Sequence, residues 1–525
     1  MGSIGSQTSR DDAQGRLRAA GSEETQSSHA PRWTGDFAVL VYVAAATVLV
    51  HVLTGHQYGF QRDELATLED ARHLAWGFVA YPPVTPFFGR LSLILFGTSL
   101  AGFRFFAAVA QAVALVFSGL MARELGGRRG AQLVAVAAGI PFCLAGGALM
   151  QYVSFDYVCW VLTAYFLLRL LKNGDLRWWL AIGTTIGLGM MAKYTMGFFV
   201  VGIVTGVLAT NARRHLASKW LWMGVGLSIL IFLPNLIWQA QHHFVSLDFL
   251  KHIHERDIRW GRTKDFLPGQ FKLTLLAFPI CVMGLYFYLI AAAGRRFRML
   301  GWMYVVPLLA FVVARGRWYY LAGAYPMLFA AGAVWGERWL ESLAPGRART
   351  LRTVAWAALA VDIMLVFAIA LPSAPVNSAR WKFAAKNNGD LVEELGWPEL
   401  TQTVAQIRDS LPAKDRERLG ILAGNYGEAG AINLYGPSYG LPRAISGINS
   451  FWARGYGNPP PETLIVIGLS QHFLDNNFTD CKVVAHTPNP YGIENEEVRD
   501  HPDLYVCRGL RQSWPEFWSD FQYYG

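Results

Sequence analysis

The sequence predicts a polytopic α-helical membrane protein that ends in a soluble α/β domain. Of its 525 residues, 53% are hydrophobic and only 16% are charged, and the apolar residues fall in long runs. At about twenty apolar residues per span, these runs correspond to about eleven transmembrane helices. After Pro372 charged and turn-forming residues become frequent and the apolar runs become short, which is typical of a separate water-soluble domain.

The predicted membrane domain covers residues 36–371 and follows a polar segment. Residues 1–35 are rich in Ser, Gln and Arg and lack the apolar core and cleavage site of a signal peptide, so we expect a disordered cytoplasmic tail. The spans are predicted at 37–54, 100–122, 131–150, 157–171, 178–192, 195–210, 220–238, 271–293, 300–314, 318–335 and 354–371.

Lys and Arg residues are concentrated in alternate connections between these spans, and the positive-inside rule makes that side cytoplasmic. The first outer loop (55–99), the outer loop at 239–270 and the soluble domain (372–525) then lie outside. We therefore predict a multi-pass protein of the bacterial inner membrane with a cytoplasmic N-terminus and a periplasmic or otherwise extracytoplasmic C-terminal domain. The net charge of +9 is spread over the connections, which argues against a nucleic-acid partner.

Several cations lie on the outer side, against the positive-inside trend. They are Arg62, Lys193, Lys251, Arg256, Arg259, Arg262, Arg315 and Arg317. Orientation alone selects against a cation in a short outer turn, so these residues suggest an anionic ligand.

Two adjacent carboxylates, Asp63 and Glu64, follow the first span directly. Charge beside the hydrocarbon is costly, so carboxylates at this place, before helix-like sequence and a turn at Pro82 and Pro83, indicate a site. The alternative is a solvated loop next to the membrane.

Two further outer corners carry ionisable groups, Asp156 and Lys193. A carboxylate can remove a proton from an acceptor hydroxyl while a cation binds a phosphate leaving group, and this set of groups suits that reaction. Asp156 also suits a helix N-terminus as a cap, and Lys193 also suits snorkelling to the interface.

The corner at 315–320 adds two guanidinium groups and three aromatic rings. Arg315 and Arg317 offer donor forks that match phosphate oxygens. Tyr319 and Tyr320 also fit the ordinary aromatic belt of a membrane protein.

Other features leave alternatives open. His242, His243, His252 and His254 fit either a divalent metal site or a solvated amphipathic helix, so the metal requirement is unknown. Cys481 and Cys507 fit either a disulfide of an exported domain or two unpaired thiols. The sequence has no phosphate-cradling glycine loop and requires no cofactor.

Four stretches of the membrane part follow a recognisable order: RDEL at 62–65 with HLAWGFVAYPP at 73–83, Asp156, GLGMMAKYT at 187–195, and RWYYLAGAYPMLFAAGAV at 317–334. In this order the chain resembles the bacterial polyprenyl-phosphate-dependent glycosyltransferases of the GT-C superfamily, which are related to the protein O-mannosyltransferases and the lipid A aminoarabinose transferases. The segment at 425–452 resembles the exported C-terminal domain of a bacterial branch of that family. By composition this segment fits carbohydrate binding as well as it fits the turns of a small domain.

The resemblance implies an inverting glycosyltransferase that works at the outer face. Asp63 would be the catalytic general base, Glu64 and Asp156 would shape the acceptor side, and Lys193 and Arg317 would face the donor phosphate. Arg62, Tyr81, Tyr194, Arg315, Tyr319 and Tyr320 complete the substrate-binding residues that we expect. The implied partners are a polyprenyl-phosphate-linked sugar, such as one on undecaprenyl phosphate, and an acceptor that is a lipid, a glycan or a protein.

The chain departs from the family pattern at Tyr81, where many relatives have His or Gln before the two prolines. Two alternatives to an enzyme are also open. One is a transporter or lipid flippase, and the other is a non-catalytic scaffold. Transporters often show related halves with broken helices near the midplane. Here the clearest charges cluster at one face and the halves do not match.

Overall fold

The structure, a computed structural model, describes residues 35–525, so the predicted tail at 1–35 lies outside the described residues except for Gly35. Residues Leu40–Gly525, which include most of the first helix, the rest of the membrane part and the C-terminal part, form one compact unit. Up to residue 371 the helices are α1 (Asp36–Thr54), α2 (Arg62–Arg72), α3 (Val84–Phe96), α4 (Leu100–Glu124), α5 (Arg129–Gly146), α6 (Tyr152–Asn173), α7 (Trp178–Met190), α8 (Met196–Ala209), α9 (Lys219–Gln241), α10 (Val245–Arg259), α11 (Phe266–Thr274), α12 (Phe278–Leu289), α13 (Arg298–Val313), α14 (Tyr325–Glu341) and α15 (Pro345–Ala370).

Each of the eleven predicted spans falls on a helix or a nearly continuous helix pair. Within the described part of the chain, eight helices are long and apolar enough to cross a membrane, or nine if the bent pair at 196–217 counts as one span. The other predicted spans fall on α7 and α14, which have 13 and 17 residues. These helices are short because the turn at 191–195 ends α7 and a 3₁₀ turn, Trp318–Ala324, precedes α14.

Glycines let several of these helices pack backbone to backbone. A Cβ added at Gly183 of α7 would lie 2.0 Å from the carbonyl oxygen of Gly224 in α9. A Cβ added at Gly284 of α12 would lie 2.2 Å from the carbonyl oxygen of Leu328 in α14. Small residues at such crossings permit the close packing that holds membrane helices together.

The first outer loop is folded into α2 and the start of α3. Gln61 caps α2 because its side chain accepts from the backbone N–H of Asp63 at 2.7 Å, while the Glu64 carboxylate accepts from the backbone N–H of Gln61 at 3.1 Å. This reciprocal cap fixes the first turn of α2, where Asp63 lies.

The C-terminal part contains helices around a five-stranded sheet, which agrees with the predicted α/β class. Its helices are α16 (Ala379–Asn387), α17 (Trp397–Ser410), α18 (Ala413–Glu417), α19 (Tyr426–Tyr435), α20 (Asn449–Trp452), α21 (Gln471–Asn477), α22 (Glu496–Asp500) and α23 (Trp514–Asp520). Its strands are β1 (Leu419–Ala423), β2 (Ala444–Ile445), β3 (Thr463–Ile467), β4 (Phe478–His486) and β5 (Asp503–Leu510).

The strand order of the sheet is β2-β1-β3-β5-β4. The first three strands are parallel, and β5 and β4 are antiparallel to their neighbours. Cys481 and Cys507 lie opposite each other on β4 and β5 and form a disulfide, which resolves the alternative that the sequence left open.

One hydrophobic cluster joins the outer loop to the C-terminal part. Leu65 and Leu68 of α2 are fully buried, and they belong to the same core as Trp397 of α17 and Ile432 of α19. The helix that carries Asp63 therefore packs into the C-terminal domain as much as onto the membrane part. The boundary at residue 372 stays a prediction about the sequence, because the two parts share this core.

Candidate active site

A cavity of about 1350 Å³ lies where α2, the corner after α7, α10, the 315–320 corner and the C-terminal domain meet. Eight of the predicted site residues line it: Arg62, Asp63, Tyr81, Lys193, Tyr194, Arg315, Arg317 and Tyr320. The other three, Glu64, Asp156 and Tyr319, are not part of its lining. Most of the expected residues, which lie between positions 62 and 320 of the sequence, thus meet at one cavity, and their roles stay predictions.

Asp63 lies in the first turn of α2 and is half-buried at the cavity wall. Its Oδ1 accepts a hydrogen bond of 2.9 Å from the Tyr426 hydroxyl, and its Oδ2 has only a long contact of 3.5 Å with the side-chain amide of Gln151. One oxygen is thus firmly held, while the other keeps acceptor capacity. A general base needs such a free oxygen within reach of the hydroxyl that it deprotonates.

Glu64 points away from the cavity into a buried ion pair. Its carboxylate accepts from the Arg104 guanidinium at 2.7 Å and from the backbone N–H of Met150 at 2.8 Å. Glu64 and Arg104 are 0% and 3% exposed. These contacts fix α2 against α4 and against the residues just before α6. Glu64 therefore holds the turn of α2 that carries its neighbour Asp63.

Arg62 lies at the cavity wall but is already paired with acidic residues of the C-terminal domain. Its guanidinium donates to Glu497 at 2.6 Å and also to Glu496, and Glu393 lies 3.9 Å away. The guanidinium also lies 5.7 Å from the centroid of the Tyr426 ring. This cation thus joins the start of α2 to the C-terminal domain.

Tyr81 is buried, and its hydroxyl donates to Asp70 at 2.6 Å. Burial, with the nearby Asp70 charge, raises the pKa of Tyr81 well above its ordinary value, so the phenol stays a hydrogen-bond donor. Asp70 also accepts from Arg454. Tyr81 therefore belongs to a buried polar network at the cavity wall.

Asp156 lies beneath the cavity and is fully hydrogen-bonded. Its Oδ1 accepts from the Trp160 indole at 2.9 Å and its Oδ2 accepts from the Thr195 hydroxyl at 2.8 Å. Asp156 lies in the second turn of α6, past the capping position of that helix. The bond to Thr195 ties α6 to the turn that carries Lys193, so Asp156 supports this turn.

Lys193 projects into a group of three tyrosine rings. Its ammonium lies 4.9 Å, 5.5 Å and 4.2 Å from the ring centroids of Tyr152, Tyr319 and Tyr320. Among the residues that the structure describes, it forms no ion pair with a carboxylate. The nearby Asp156 carboxylate favours the charged form of Lys193 without lying within ion-pair distance of it. A cation that is held by ring faces and lines a cavity remains available to an anionic ligand.

Tyr194, the neighbour of Lys193, is bound to α9. Its hydroxyl donates to Asn235 at 3.2 Å and accepts from the Gln239 amide at 2.9 Å. Gln239 in turn accepts and donates hydrogen bonds with Ser246 at the start of α10. Tyr194 thus links the cavity floor to α10.

The two arginines of the 315–320 corner differ in their surroundings. Arg317 makes a bidentate pair with Asp257 of α10, at 2.6 Å and 2.9 Å, and donates to the Tyr319 hydroxyl at 3.0 Å. Arg315 has a positive φ of 46° and is exposed at the cavity, and within residues 35–525 it forms no ion pair. Among the cavity-lining cations, Lys193 and Arg315 are therefore the two that have no ion pair with any residue of the described range 35–525.

The wall that the C-terminal domain contributes carries carboxyl groups near Asp63. Burial raises the pKa of Asp390 to about 6, and the nearby charges of Asp63 and Glu64 act in the same direction. Burial also raises the pKa of Glu393 to about 7. Both residues line the cavity, so its two sides differ in charge, with cations beside Lys193 and acidic groups beside Asp63.

The histidines of the outer loop at 239–270 have separate surroundings in the structure. The ring of His242 stacks on Trp238, the ring of His252 lies edge-on to Tyr524, and His254 lines the cavity. Across residues 35–525 no group of three His, Cys, Asp or Glu side chains is arranged to hold a metal ion. A metal requirement stays an open question.

Sequence reasoning missed Arg104, Asp257, Tyr152 and Tyr426. Arg104 had a signal, since an arginine inside a predicted span needs a buried partner. Asp257 also had one, because it is an acidic residue within a run of outer cations. Tyr152 and Tyr426 had none, because an aromatic residue near a membrane surface is ordinary in sequence.

Comparisons with known proteins agree with this architecture. A family model described as dolichyl-phosphate-mannose-protein mannosyltransferase matches residues 80–238. The crystal structure of ArnT from Cupriavidus metallidurans bound to undecaprenyl phosphate superposes with a TM-score of 0.58 and 14% sequence identity, covering 90% of this chain and 97% of that one. The chain has the fold of ArnT. The apo structure of the same protein gives a TM-score of 0.53 at 16% identity, with the same coverage of both chains.

A further solved structure is that of the oligosaccharyltransferase AglB from Archaeoglobus fulgidus, with a TM-score of 0.43 at 11% identity over 82% of this chain and 69% of that one. No curated protein sequence matches the chain significantly. The predicted fold class, a multi-pass membrane protein with a C-terminal α/β domain, is confirmed by the likeness of fold to ArnT. The family model over residues 80–238 agrees with the predicted resemblance.

Proposed function

We propose that this protein is an integral-membrane glycosyltransferase that moves a sugar from a polyprenyl-phosphate donor to an acceptor hydroxyl at the outer face of the membrane. The observation that carries the proposal is that the half-buried carboxylate of Asp63 and the unpaired cations Lys193 and Arg315 line one cavity. The likeness of fold to ArnT bound to undecaprenyl phosphate supports a lipid-phosphate donor.

In this reaction Asp63 takes the proton of the acceptor hydroxyl. The acceptor oxygen forms a bond to the anomeric carbon while the bond between that carbon and the phosphate oxygen breaks, and the electron pair leaves with the polyprenyl phosphate. Lys193 and Arg315 stabilise the negative charge that develops on the phosphate. Attack on the face opposite the phosphate inverts the anomeric centre.

The two sides of the cavity suit the two substrates. Apolar side chains of the adjoining outer helices, Leu247 and Leu250 of α10 and Leu267 of α11, are exposed and offer a surface for a polyprenyl chain beside the cations. The opposite wall has amide side chains from the C-terminal domain: Asn387, Asn388, Asn425 and Asn449. Amides donate and accept hydrogen bonds, which suits an acceptor with several hydroxyl groups.

The distribution of basic loops supports an outer location for this cavity. On that side the head group of an exported lipid-linked sugar would be accessible to the cavity, and the disulfide of the C-terminal domain supports the same location.

The test is mass spectrometry of envelope lipids, glycans and glycoproteins from cells that lack the gene, carry it, or carry Asp63→Asn. We expect one sugar modification to disappear on deletion and to return with the intact gene alone, because general-base catalysis contributes about 10²–10⁴-fold to such a rate. Asp409→Asn, which changes an exposed carboxylate paired with Arg408, is the matched control and should restore the modification.

Full restoration by Asp63→Asn would contradict the assignment of the base. If no glycoconjugate changes on deletion, the result favours the alternative that the protein is a transporter. Cysteines placed at the cavity would then decide, since an enzyme exposes them from the outside only, whereas alternating access exposes them from both sides.

A further inference from the structure

The proposed catalytic carboxylate receives its shortest side-chain hydrogen bond from the C-terminal domain. Tyr426, the first residue of α19, donates from its hydroxyl to Asp63 Oδ1 at 2.9 Å, across 363 positions of sequence. The bond leaves Oδ2, which has only the long contact of 3.5 Å with Gln151, as the oxygen with spare acceptor capacity. A carboxylate whose one oxygen is fixed presents the other in a defined direction.

The surroundings of Tyr426 keep it a donor. Burial and the Asp63 charge raise the pKa of Tyr426 well above its ordinary value, so the hydroxyl keeps its proton. Its ring lies beneath the Arg62 guanidinium, which Glu496 and Glu497 hold in place. The ring therefore packs against a guanidinium that is itself held in place.

Two glycines bring α19 close enough to α2 for this bond. A Cβ added at Gly430 would lie 2.8 Å from the Cβ of Leu65, and one added at Gly427 would lie 3.0 Å from the Cβ of Arg62. Contacts under 3.0 Å are not tolerated without movement, so the sequence Gly427-Glu428-Ala429-Gly430 sets the distance between the two helices.

The start of α19 is also fixed by its own cap. Asn425 accepts from the backbone N–H of Glu428 at 2.9 Å, and Glu428 accepts from the backbone N–H groups of Asn425 and Gly424 at 3.1 Å. This capping box orders the turn that carries Tyr426. Both ends of the Tyr426–Asp63 bond thus lie in capped first turns.

From this geometry we infer that Tyr426 is a positioning residue for Asp63, through which the C-terminal domain completes the catalytic site. The inference rests on the proposed function. It assigns to the C-terminal domain a direct part in the chemistry, in addition to any contact with the acceptor.

The test compares Tyr426→Phe with the unmodified full-length protein in a sugar-transfer assay, once the deletion experiment has identified the donor and acceptor. We expect kcat to fall on the order of tenfold with KM for both substrates unchanged, because a hydrogen bond to a charged group is lost while the ring remains. A hydrogen-bond donor stabilises the ionised form of a carboxylate, so its removal should also move the acidic limb of the kcat profile to higher pH.

Tyr435→Phe is the matched control. It removes a hydroxyl from the last residue of the same helix, where no side-chain hydrogen bond is made within the described part of the chain. It should leave kcat and the pH profile unchanged. The thermal unfolding midpoint of each variant shows whether the fold is kept.

If Tyr426→Phe does not fold, Gly430→Ala takes its place, because the added Cβ must move α19 away from α2 while Tyr426 is kept. It should lower kcat and shift the pH profile in the same direction.

An unchanged kcat and pH profile in a folded variant would overturn the inference, and so would a rise in KM alone, which indicates substrate contact instead of positioning. Failure of the proposed function would look different, since Asp63→Asn would then be as active as the unmodified protein.

Discussion

Lys193 has the surroundings of a ligand-binding cation. Three tyrosine rings, those of Tyr152, Tyr319 and Tyr320, hold its ammonium by their faces, and the structure shows no carboxylate paired with it in the described part of the chain. Ring faces attract a cation without neutralising its charge. Burial lowers the pKa of Lys193 to about 8, and the nearby Asp156 carboxylate acts against this shift. A bound phosphate would favour the charged form of the lysine in the same way.

Replacing this lysine by an uncharged side chain of similar length should impair transfer selectively. We expect Lys193→Gln to lower kcat/KM for the lipid-phosphate donor on the order of 10²-fold, because the preorganised charge that stabilises the leaving group is lost. The measurement is steady-state transfer with purified protein.

Lys219→Gln is the control for this variant. Lys219 also stacks over an aromatic ring, Trp220 at 5.4 Å, but does not line the cavity. Equal losses in the two variants would show that the effect belongs to cation–ring packing in general and not to the site.

At the scale of elements, α2 depends on the buried pair of Glu64 and Arg104. We expect Glu64→Ala to destabilise the protein by about 3 kcal/mol, the lower end of the range for breaking a buried pair, because Glu394 remains 3.4 Å from Arg104. The loss should appear as a lower thermal unfolding midpoint in detergent. The same change at Glu341, whose pair with Arg128 is exposed, should have little effect, and a stable Glu64→Ala would contradict the anchoring role.

The sequence was sufficient to locate the membrane helices and to name eight of the residues that line the cavity. Apolar runs locate the spans because a bilayer imposes a length, and outer cations such as Lys193 and Arg315 stand out because orientation selects against them. The α2–α19 crossing could not be predicted in this way. It depends on the shape of Gly427 and Gly430 against Leu65, and neither periodicity nor charge reveals a contact between residues so far apart in the chain.

The same limit applies to the partners of the cations. Arg317 was expected at the donor phosphate, yet it is held by Asp257, whereas the neighbouring Arg315 is unpaired. Sequence shows that a charge is present on one side of the membrane. Only the packing of α10 against the corner at 315–320 decides which charge is neutralised.

At the scale of the whole molecule, the junction of the membrane part with the C-terminal domain should respond to pH. Arg104 lies between Glu64 and Glu394, so one guanidinium faces two buried carboxyl groups. Burial raises the pKa of Glu394 to about 8, although Arg104 acts against the shift. Burial likewise raises the pKa of Glu428 to about 8.

Since the pKa of Glu394 is higher in the folded protein than its ordinary value of 4.5, protonation favours the folded state. The contribution of Glu394 to the free energy of unfolding is complete below about pH 4.5 and is lost as the pH rises through about 8. We expect a lower thermal unfolding midpoint at pH 9 than at pH 6, and a smaller difference in Glu394→Gln. Glu417→Gln, at an exposed position, should behave like the unmodified protein, and an unchanged pH dependence in Glu394→Gln would contradict this assignment.

The hydrogen bond between Tyr426 and Asp63 also affects when the site can form during protein synthesis. The two residues are 363 positions apart in the chain. At rates of chain growth of about 5 to 20 residues per second, the ribosome therefore adds Tyr426 roughly 20 to 70 s after Asp63. During that interval the carboxylate is already at the membrane while its partner does not yet exist. A chain still being synthesised would therefore hold a poorly formed catalytic site, and full activity would begin only when the C-terminal domain had folded onto α2.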